Sequence, residues 1–520
     1  MWVRQANAGY TVPSNAARNT AIAVDGQCDL FEALESMNNG TPVNSDCVDD
    51  TSIWGGGAWI QLDPTNSPTY QLPSQMWLSR TDAWLAIYPV PGIAGTVTIQ
   101  APGPVLGISA NTSVAISSLV LQSTPGAAGS VLFNEGIVDL AYVTIQNSNA
   151  GNYGGGGIHN EYGATILELT GCDIRNNHAS FGGGIYNAPT ATIQFFENSI
   201  VENNTATSST SGGGGIYNAG SIEPFDGNII RNNSSAGAGG GIYNDVQSDD
   251  MVELDTTQVT NNTATGNGGG IYTDSAMTIS QCTLSGNVAH GGGGGAFASA
   301  TSPGGHVTLG WSTLSGNTSG TMGGGLYQDG STSTVTLNNC TVSGNTAATK
   351  GGGLYGFDYL EVVDSTIAFN RLTSRTGQGG GVYDTSSATR TNACIVAKNT
   401  HGTSPVVADD YFGSPHAGSA DDARSLFGTG VGTTNLFINP ANNNNDLVGL
   451  DPLLSPLAIN AMANMPTPVT MTHAIGTNSP AYRNDIHDYG RKSDDQRGYP
   501  RPPCDNTSCS PADLGAYEHQ

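Results

Sequence analysis

From residue 158 onward the chain repeats one arrangement of apolar and polar positions. Two to five glycines precede an aliphatic residue, which an aromatic one usually follows. The aliphatic positions are Ile158, Ile185, Ile216, Ile242, Ile271, Ala296, Leu326, Leu354 and Val382, spaced 25 to 31 residues apart. The next positions are His159, Tyr186, Tyr217, Tyr243, Tyr272, Phe297, Tyr327, Tyr355 and Tyr383. Between these copies a second signature ends on Asn177, Asn204, Asn233, Asn262, Asn287, Asn317, Asn345, Asn370 and Asn399. An aliphatic stands three residues before each asparagine, from Ile174 to Val396. Five residues before it stands a small polar or thiol side chain: Cys172, Ser199, Asn228, Thr257, Cys282, Ser312, Cys340, Ser365 or Cys394. Side chains alternate along a strand, so these two positions share a face.

No segment sustains a helical period. The stretches between glycine runs are short, β-branched and bounded by turn residues, as in Ala164 to Leu169 and Val335 to Leu337. Short strands at a constant period of about 28 residues predict a parallel β-helix, with room for roughly three strands of four to six residues per coil. The crossover rule predicts a right-handed one. Coils stacked at the interstrand spacing of ~4.8 Å place equivalent residues in ladders. Asparagine tolerates a left-handed turn and can hydrogen-bond from coil to coil, so the nine asparagines form an expected structural ladder. The aromatic positions neighbour an inward aliphatic and are expected to stack outside. Such a stripe could serve as a sugar platform, but its recurrence in nearly every coil suits packing better.

Composition narrows the function. The chain has 520 residues, only 11% of them charged, and 16 Lys and Arg against 42 Asp and Glu give a net charge of −26. Nucleic acids and anionic membrane surfaces are bound mainly through cations, so neither is an expected partner. No run of ~18 apolar residues occurs, and no membrane insertion is expected. The 72 glycines serve turns and do not signal disorder, because aliphatic residues recur regularly beside them.

The eight cysteines divide into two groups. Cys28 with Cys47, and Cys504 with Cys509, lie close together in irregular terminal segments, where structural disulfides would act as staples. Cys172, Cys282, Cys340 and Cys394 share one ladder position in non-adjacent coils, too far apart to bridge, and should be free buried thiols. No cysteine and histidine spacing suggests zinc.

Residues 1–95 hold five of the six tryptophans and are expected to cap the N-terminal end. Within them Asp29 could cap a short helix that turns Leu30, Phe31 and Leu34 inward. Residues 96–400 should form the β-helix, and residues 401–520 the last coils with an irregular C-terminal cap. Asp25, Gly26, Cys28, Leu30, Glu32, Ala33 and Asn38, followed by Asp46 and Cys47, resemble the CSLREA-type segment that opens many exported bacterial β-helix proteins, with Phe31 in place of its arginine. The GGGIYN and SGNTA repeats resemble those of polymorphic outer membrane protein-like β-helices. The blocks Asp446 to Ala458, Thr472 to Ala474, Ser479 to Ala481, Asp495 to Pro502 and Asp513 to Glu518 resemble the choice-of-anchor Q region. These resemblances imply a right-handed parallel β-helix that is extracellular or on a bacterial cell surface. Met1 to Thr20 carries Arg4, Asn7, Pro13 and Arg18 and no apolar leader core, as expected of a mature or trimmed form or of another export route.

Enzymatic β-helices need paired carboxylates, or acidic Ca²⁺ ligands with a basic residue. The candidate pairs are Asp49/Asp50, Asp249/Asp250, Asp409/Asp410, Asp421/Asp422 and Asp494/Asp495, and none has a matching pair in a neighbouring coil. Lys350 with Arg371 and Arg375 makes a weak basic cluster, and His178, His290 and His401 read as turn residues. The expected function is therefore a non-enzymatic structural or adhesin-like one, with no catalytic residues and no certain cofactor. Ca²⁺ bridging of carboxylates is possible on charge grounds alone. Expected partners are another copy, head to tail or laterally, or an extracellular polysaccharide. The alternative is a polysaccharide lyase or glycoside hydrolase using the loops around 205–211, 245–251 and 299–306.

Overall fold

The computed structural model describes residues 8–12, 28–40, 57–124, 126–245, 252–299, 306–330, 334–386, 389–415, 424–430, 432, 446–460, 470–483, 493–501, 504–505, 508–509, 512–517 and 519. It is an all-β parallel solenoid of about 12 turns with ~28 residues per coil. The chain divides into two compact units, Met1–Ile229 and Ile230–Gln520. A full coil carries four strands where three were expected. In the second unit one coil runs through Val252–Asp255, Gln258–Thr260, Thr263–Ala264 and Ile271–Thr273. These belong to four separate sheets, called first to fourth in that order. The first two of these strands each end at a residue of positive φ, Thr256 and Asn261.

The left-handed position is not the ladder asparagine but the residue before it. Asn176, Asn203, Asn232, Asn261, Gly286, Gly316, Gly344, Phe369 and Lys398 all have φ between 55° and 67°. The turn thus throws the following asparagine inward, where all nine ladder asparagines are buried. A second left-handed residue precedes the Cys/Ser/Thr position, from Gly171 to Ala393. The glycine triplets serve a third turn. Gly268 adopts φ +67°, and a Cβ on Gly269 or Gly270 would lie 2.5 Å from the carbonyl oxygen of Gly294 or Gly295 in the next coil. The first glycine therefore meets two demands, since a Cβ there would also lie 2.3 Å from the Ile271 carbonyl oxygen, and the next two supply close approach.

In the first unit, strand pairing begins before residue 96. Ala8–Val12 pairs with Gly57–Leu62, which pairs with Trp84–Pro89, and Thr69–Gln71 and Met76–Leu78 open the second and fourth sheets. Residues 57–89 are thus coil, not cap. The helix Leu30–Asn39 is the capping element, and it begins as expected. The Asp29 side chain accepts from the Glu32 N–H at 2.9 Å, and the Glu32 carboxylate accepts from the Asp29 N–H at 3.3 Å. Leu30, Ala33, Leu34 and Met37 are buried, whereas Phe31 is only half-buried. Asn38 fastens the helix by donating to the Trp77 carbonyl and accepting from the Ser79 N–H.

In the second unit both polar ladders end on aspartate. The Asn399 N–H and side-chain amide both donate to Asp410 Oδ1, at 2.8 and 3.0 Å. In the other ladder Cys394 N–H donates to Ser425 Oγ, and Ser425 N–H to Asp446 Oδ1 at 3.0 Å. The third sheet closes on Val407–Ala408, which runs antiparallel to Thr400–His401.

The C-terminal segment is not simply an end cap. It returns along the outer face of the second sheet, spanning strands Thr313–Ser315 to Ile395–Ala397. Thr313 exchanges hydrogen bonds with both backbone groups of Met471, Thr341 donates to Gln496, Ser343 bonds His473 at 2.7 Å, and Thr366 accepts from the Ala516 N–H. Ile475, Ala481 and Leu514 pack with Ala393, Ile395, Ala397 and Leu426 in a buried cluster beneath it. The Arg501 guanidinium donates to the carbonyls of Asp513 and Gly515 and to Asn339 Oδ1. This strap explains why Thr313, Thr341, Ser343 and Thr366 are buried although they point out of the sheet.

Candidate functional site

The predicted ladder asparagines come together as expected, and their bonding is directional. In the second unit each N–H of Asn233, Asn262, Asn287, Asn317, Asn345 and Asn370 donates to the Oδ1 of the asparagine one coil later, at 2.9 to 3.0 Å. In the first unit Asn177 donates likewise to Asn204. Each side-chain amide also reaches back to a main-chain carbonyl one coil earlier, as Asn317 does to Leu284 at 2.9 Å. No ligand-binding group is left over, so the ladder is structural.

The four ladder cysteines are free and buried, as expected. They are also hydrogen-bonded. Cys282 Sγ accepts from the Thr257 N–H and donates to the Ser280 carbonyl. Burial pushes the Cys172 and Cys340 thiols up to about 12, so neither offers a thiolate. For the expected disulfides, Cys47 lies outside the described residues. Cys504 and Cys509 stand opposite each other in an antiparallel strand pair.

The acidic pairs do not assemble a catalytic centre among the described residues. Asp49/Asp50, Asp249/Asp250 and Asp421/Asp422 lie outside them. Asp409 and Asp410 occupy the places of two turn glycines, as the next strand shows: Tyr411 pairs with Val382 and Phe412 with Tyr383. Asp409 accepts from the Gly380 N–H and engages His401 at 3.0 Å. Asp495 is fully buried in a fork with Arg497. The Lys350 ammonium lies 4.5 Å from the ring centroid of Tyr383. Of the loops named for a lyase, 246–251 and 300–305 are outside the described residues. The 205–211 loop contains no titratable side chain, and Ser208 Oγ accepts from its own loop N–H groups. Among the described residues no three His, Cys, Asp or Glu side chains are grouped to hold a metal, so the Ca²⁺ expectation gains no site there.

In the second unit the aromatic stripe forms a stack. Tyr243, Tyr272, Phe297, Tyr327, Tyr355, Tyr383 and Phe412 stack at centroid distances of 4.7 to 5.3 Å and within 20° of parallel. His159, the exception in the pattern, stacks on Phe133 at 4.6 Å and is held by the Gly154 carbonyl and the Glu161 carboxylate. In this second-unit stack each ring face is used by the next ring, leaving mainly edges for a sugar, whereas in the first unit His159 meets Tyr186 edge-on and Tyr186 is tilted 50° to Tyr217. In the second unit the stripe therefore serves packing between coils.

Three features escaped the sequence reading. A second asparagine ladder runs through Asn134, Asn160, Asn187 and Asn218, each side-chain amide donating to the next carbonyl at 2.8 Å. Its signal was the residue after each aromatic. A carboxylate pair lies across neighbouring coils, because Asp139 is the register partner of Glu168. Burial, with Glu168 beside it, pushes the Asp139 carboxyl up to about 6. Finally, an outer row of carboxamides joins Gln146 to Gln122 and Gln122 to Gln100 at 2.8 and 3.0 Å, and Arg175 donates to Gln146 at 3.0 Å.

Comparison with known proteins adds the following. Residues 256–274 and 339–356 match the Chlamydia polymorphic membrane protein repeat. Both segments run from the second sheet through the glycine turn into the fourth. No curated protein matches the chain. Among solved structures, pectate lyase Pel9A aligns over 99% of this chain and 97% of its own, at 13% identity and a TM-score of 0.26.

Proposed function

We propose that this chain is a non-enzymatic structural or adhesive solenoid, secreted or displayed at a bacterial cell surface. The observation that carries the proposal is the use made of its reactive side chains. Asp409, Asp410, Asp495, His401, Lys350 and the ladder thiols are each engaged by the fold itself, in bonds that terminate ladders, close turns or pin the strap. The match of two segments to a surface-protein repeat supports the location. In this reading self-association is lateral, because aspartates and an antiparallel strand close ladders and one sheet at the C-terminal end. Electron microscopy of native material should show no end-to-end filaments. Beads coated with the folded chain should adhere to polysaccharide or cell layers, and beads coated with unfolded chain should not. Degradation of polygalacturonate or alginate at ordinary enzyme rates would end this reading.

One observation favours glycoside hydrolysis as a second reading. Asp139 and Glu168 stand in adjacent coils with one carboxyl disposed to hold its proton, as an acid and base pair requires. Release of reducing ends that Asp139→Asn abolishes would favour it over the first.

A further inference from the structure

Tyr142 is a bulky residue at the second left-handed turn, as Trp311 is in a later coil. It takes the left-handed conformation, φ +58°, at a position filled in the flanking coils by Ser118 and Gly171. Bulky residues rarely adopt that backbone, and such strain persists where something else is gained. Its side chain is 67% exposed, and one edge of its ring lies where a Cβ on Gly171 would come within 2.6 Å. Unlike the stacked tyrosines, it stands between two small neighbours and keeps a ring face open to solvent.

Hydrogen-bonding groups flank it on both sides. On the second sheet the carboxamides of Gln100, Gln122 and Gln146 present one amide per coil, ending at Arg175. On the first sheet Asp139 and Glu168 face outward in adjacent coils, and Glu168 is exposed. An aromatic face between carboxamides and carboxylates offers donors and acceptors for hydroxyl groups and an apolar surface for a ring.

We propose that Tyr142, the Gln100–Gln122–Gln146 row, Arg175, Asp139 and Glu168 bind an uncharged polysaccharide chain lying across the coils. Charge selects that class. Arg175 is the cation at the site and is already paired with Asp173 at 3.2 Å, while Asp139 and Glu168 would repel uronate carboxylates. The inference deepens the adhesive reading, which could survive without this particular site.

The test is affinity electrophoresis of the full chain in gels containing hydroxyethylcellulose, xyloglucan or polygalacturonate. Retardation is expected in at least one neutral gel and not in polygalacturonate. Tyr142→Asn, which suits the left-handed backbone, should weaken binding by at least about tenfold while leaving the thermal midpoint unchanged or raised. Gln146→Ala should weaken it about threefold. Retardation by polygalacturonate alone, or unchanged binding in Tyr142→Asn, overturns the site. A lowered midpoint with binding intact would assign Tyr142 to the fold. Bead adhesion without retardation in either neutral gel refutes this site and leaves the adhesive function standing, whereas loss of bead adhesion with retardation intact does the reverse.

Discussion

Replacing Asn317 with alanine tests whether the asparagine ladder holds the coils together. Its Oδ1 accepts from both the N–H and the side-chain amide of Asn287, each at 3.0 Å. Its Nδ2 donates to Leu284 O and to Asn345 Oδ1, each at 2.9 Å. In Asn317→Ala, Asn345 Oδ1 keeps the main-chain donor of residue 317, and Asn287 Nδ2 keeps the Val259 carbonyl. The Asn287 N–H loses its partner in a buried site. One orphaned donor costs about 1–3 kcal/mol, and the other lost bonds about 0.5–1.5 kcal/mol each before cavity relaxation. The expected loss is roughly 3–4 kcal/mol, focused on two coils. Solenoids open locally, so a single global midpoint would understate it. Hydrogen exchange should show the Asn287 amide and its neighbours losing protection, by about two powers of ten for ~3 kcal/mol, with coils near Tyr383 little changed. Tyr327→Ala, which alters the outer stack, serves as the control. Unchanged exchange at Asn287 would refute the claim that these bonds are structural.

Other expectations follow from the same geometry. Burial raises the Asp384 and Asp410 carboxyls to about 6 from 3.8, so their contribution to stability is complete below pH 3.8 and lost as pH rises through 6. Denaturation at pH 4.5 and 7.5 should differ by about 2 kcal/mol per group, and Asp384→Asn with Asp410→Asn should flatten the profile. His473 acts in the opposite sense: burial lowers its pKa, so the strap loses stability as pH falls below 6.5, and protease cleavage of the strap should rise there unless His473→Gln is present. Gly268→Ala should destabilise the fold more than Gly269→Ala, because both drive a methyl into a carbonyl and the first adds about 1–2 kcal/mol of left-handed backbone cost; chemical denaturation would rank them. Cys172 and Cys340 should resist thiol reagents at pH 8 until unfolding, and modification of the native protein would contradict their burial.

The repeat was legible because each coil needs the same solution at the same place. The glycine triplets and ladder asparagines are dictated by contacts with the next coil, so their spacing reports the fold directly. The exact left-handed residue was harder to read, since Asn176–Asn177 offers two asparagines. Gly286–Asn287, Gly316–Asn317 and Gly344–Asn345 contain the answer, because glycine marks the positive φ. The last signature was hidden where Asp409 and Asp410 replace glycine. The early coils were hidden because residues 57–89 fold without the glycine and asparagine signatures. The strap could not be read at all: Thr313 and Met471 are 158 residues apart, and a lone pairing at that distance leaves no period. The candidate glycan surface was equally silent, for its members meet only when coils stack.

The one-way bonding of the asparagine ladder also bears on how such a chain can change length. In the second unit every interior rung gives to the rung after it and receives from the rung before it, so one more rung inserted in register finds both neighbours ready. The final rung alone has a specialised receiver, Asp410. Duplication or loss of a whole repeat within the array should therefore be heritable without repair, whereas a break just before residue 410 would strand two buried donors.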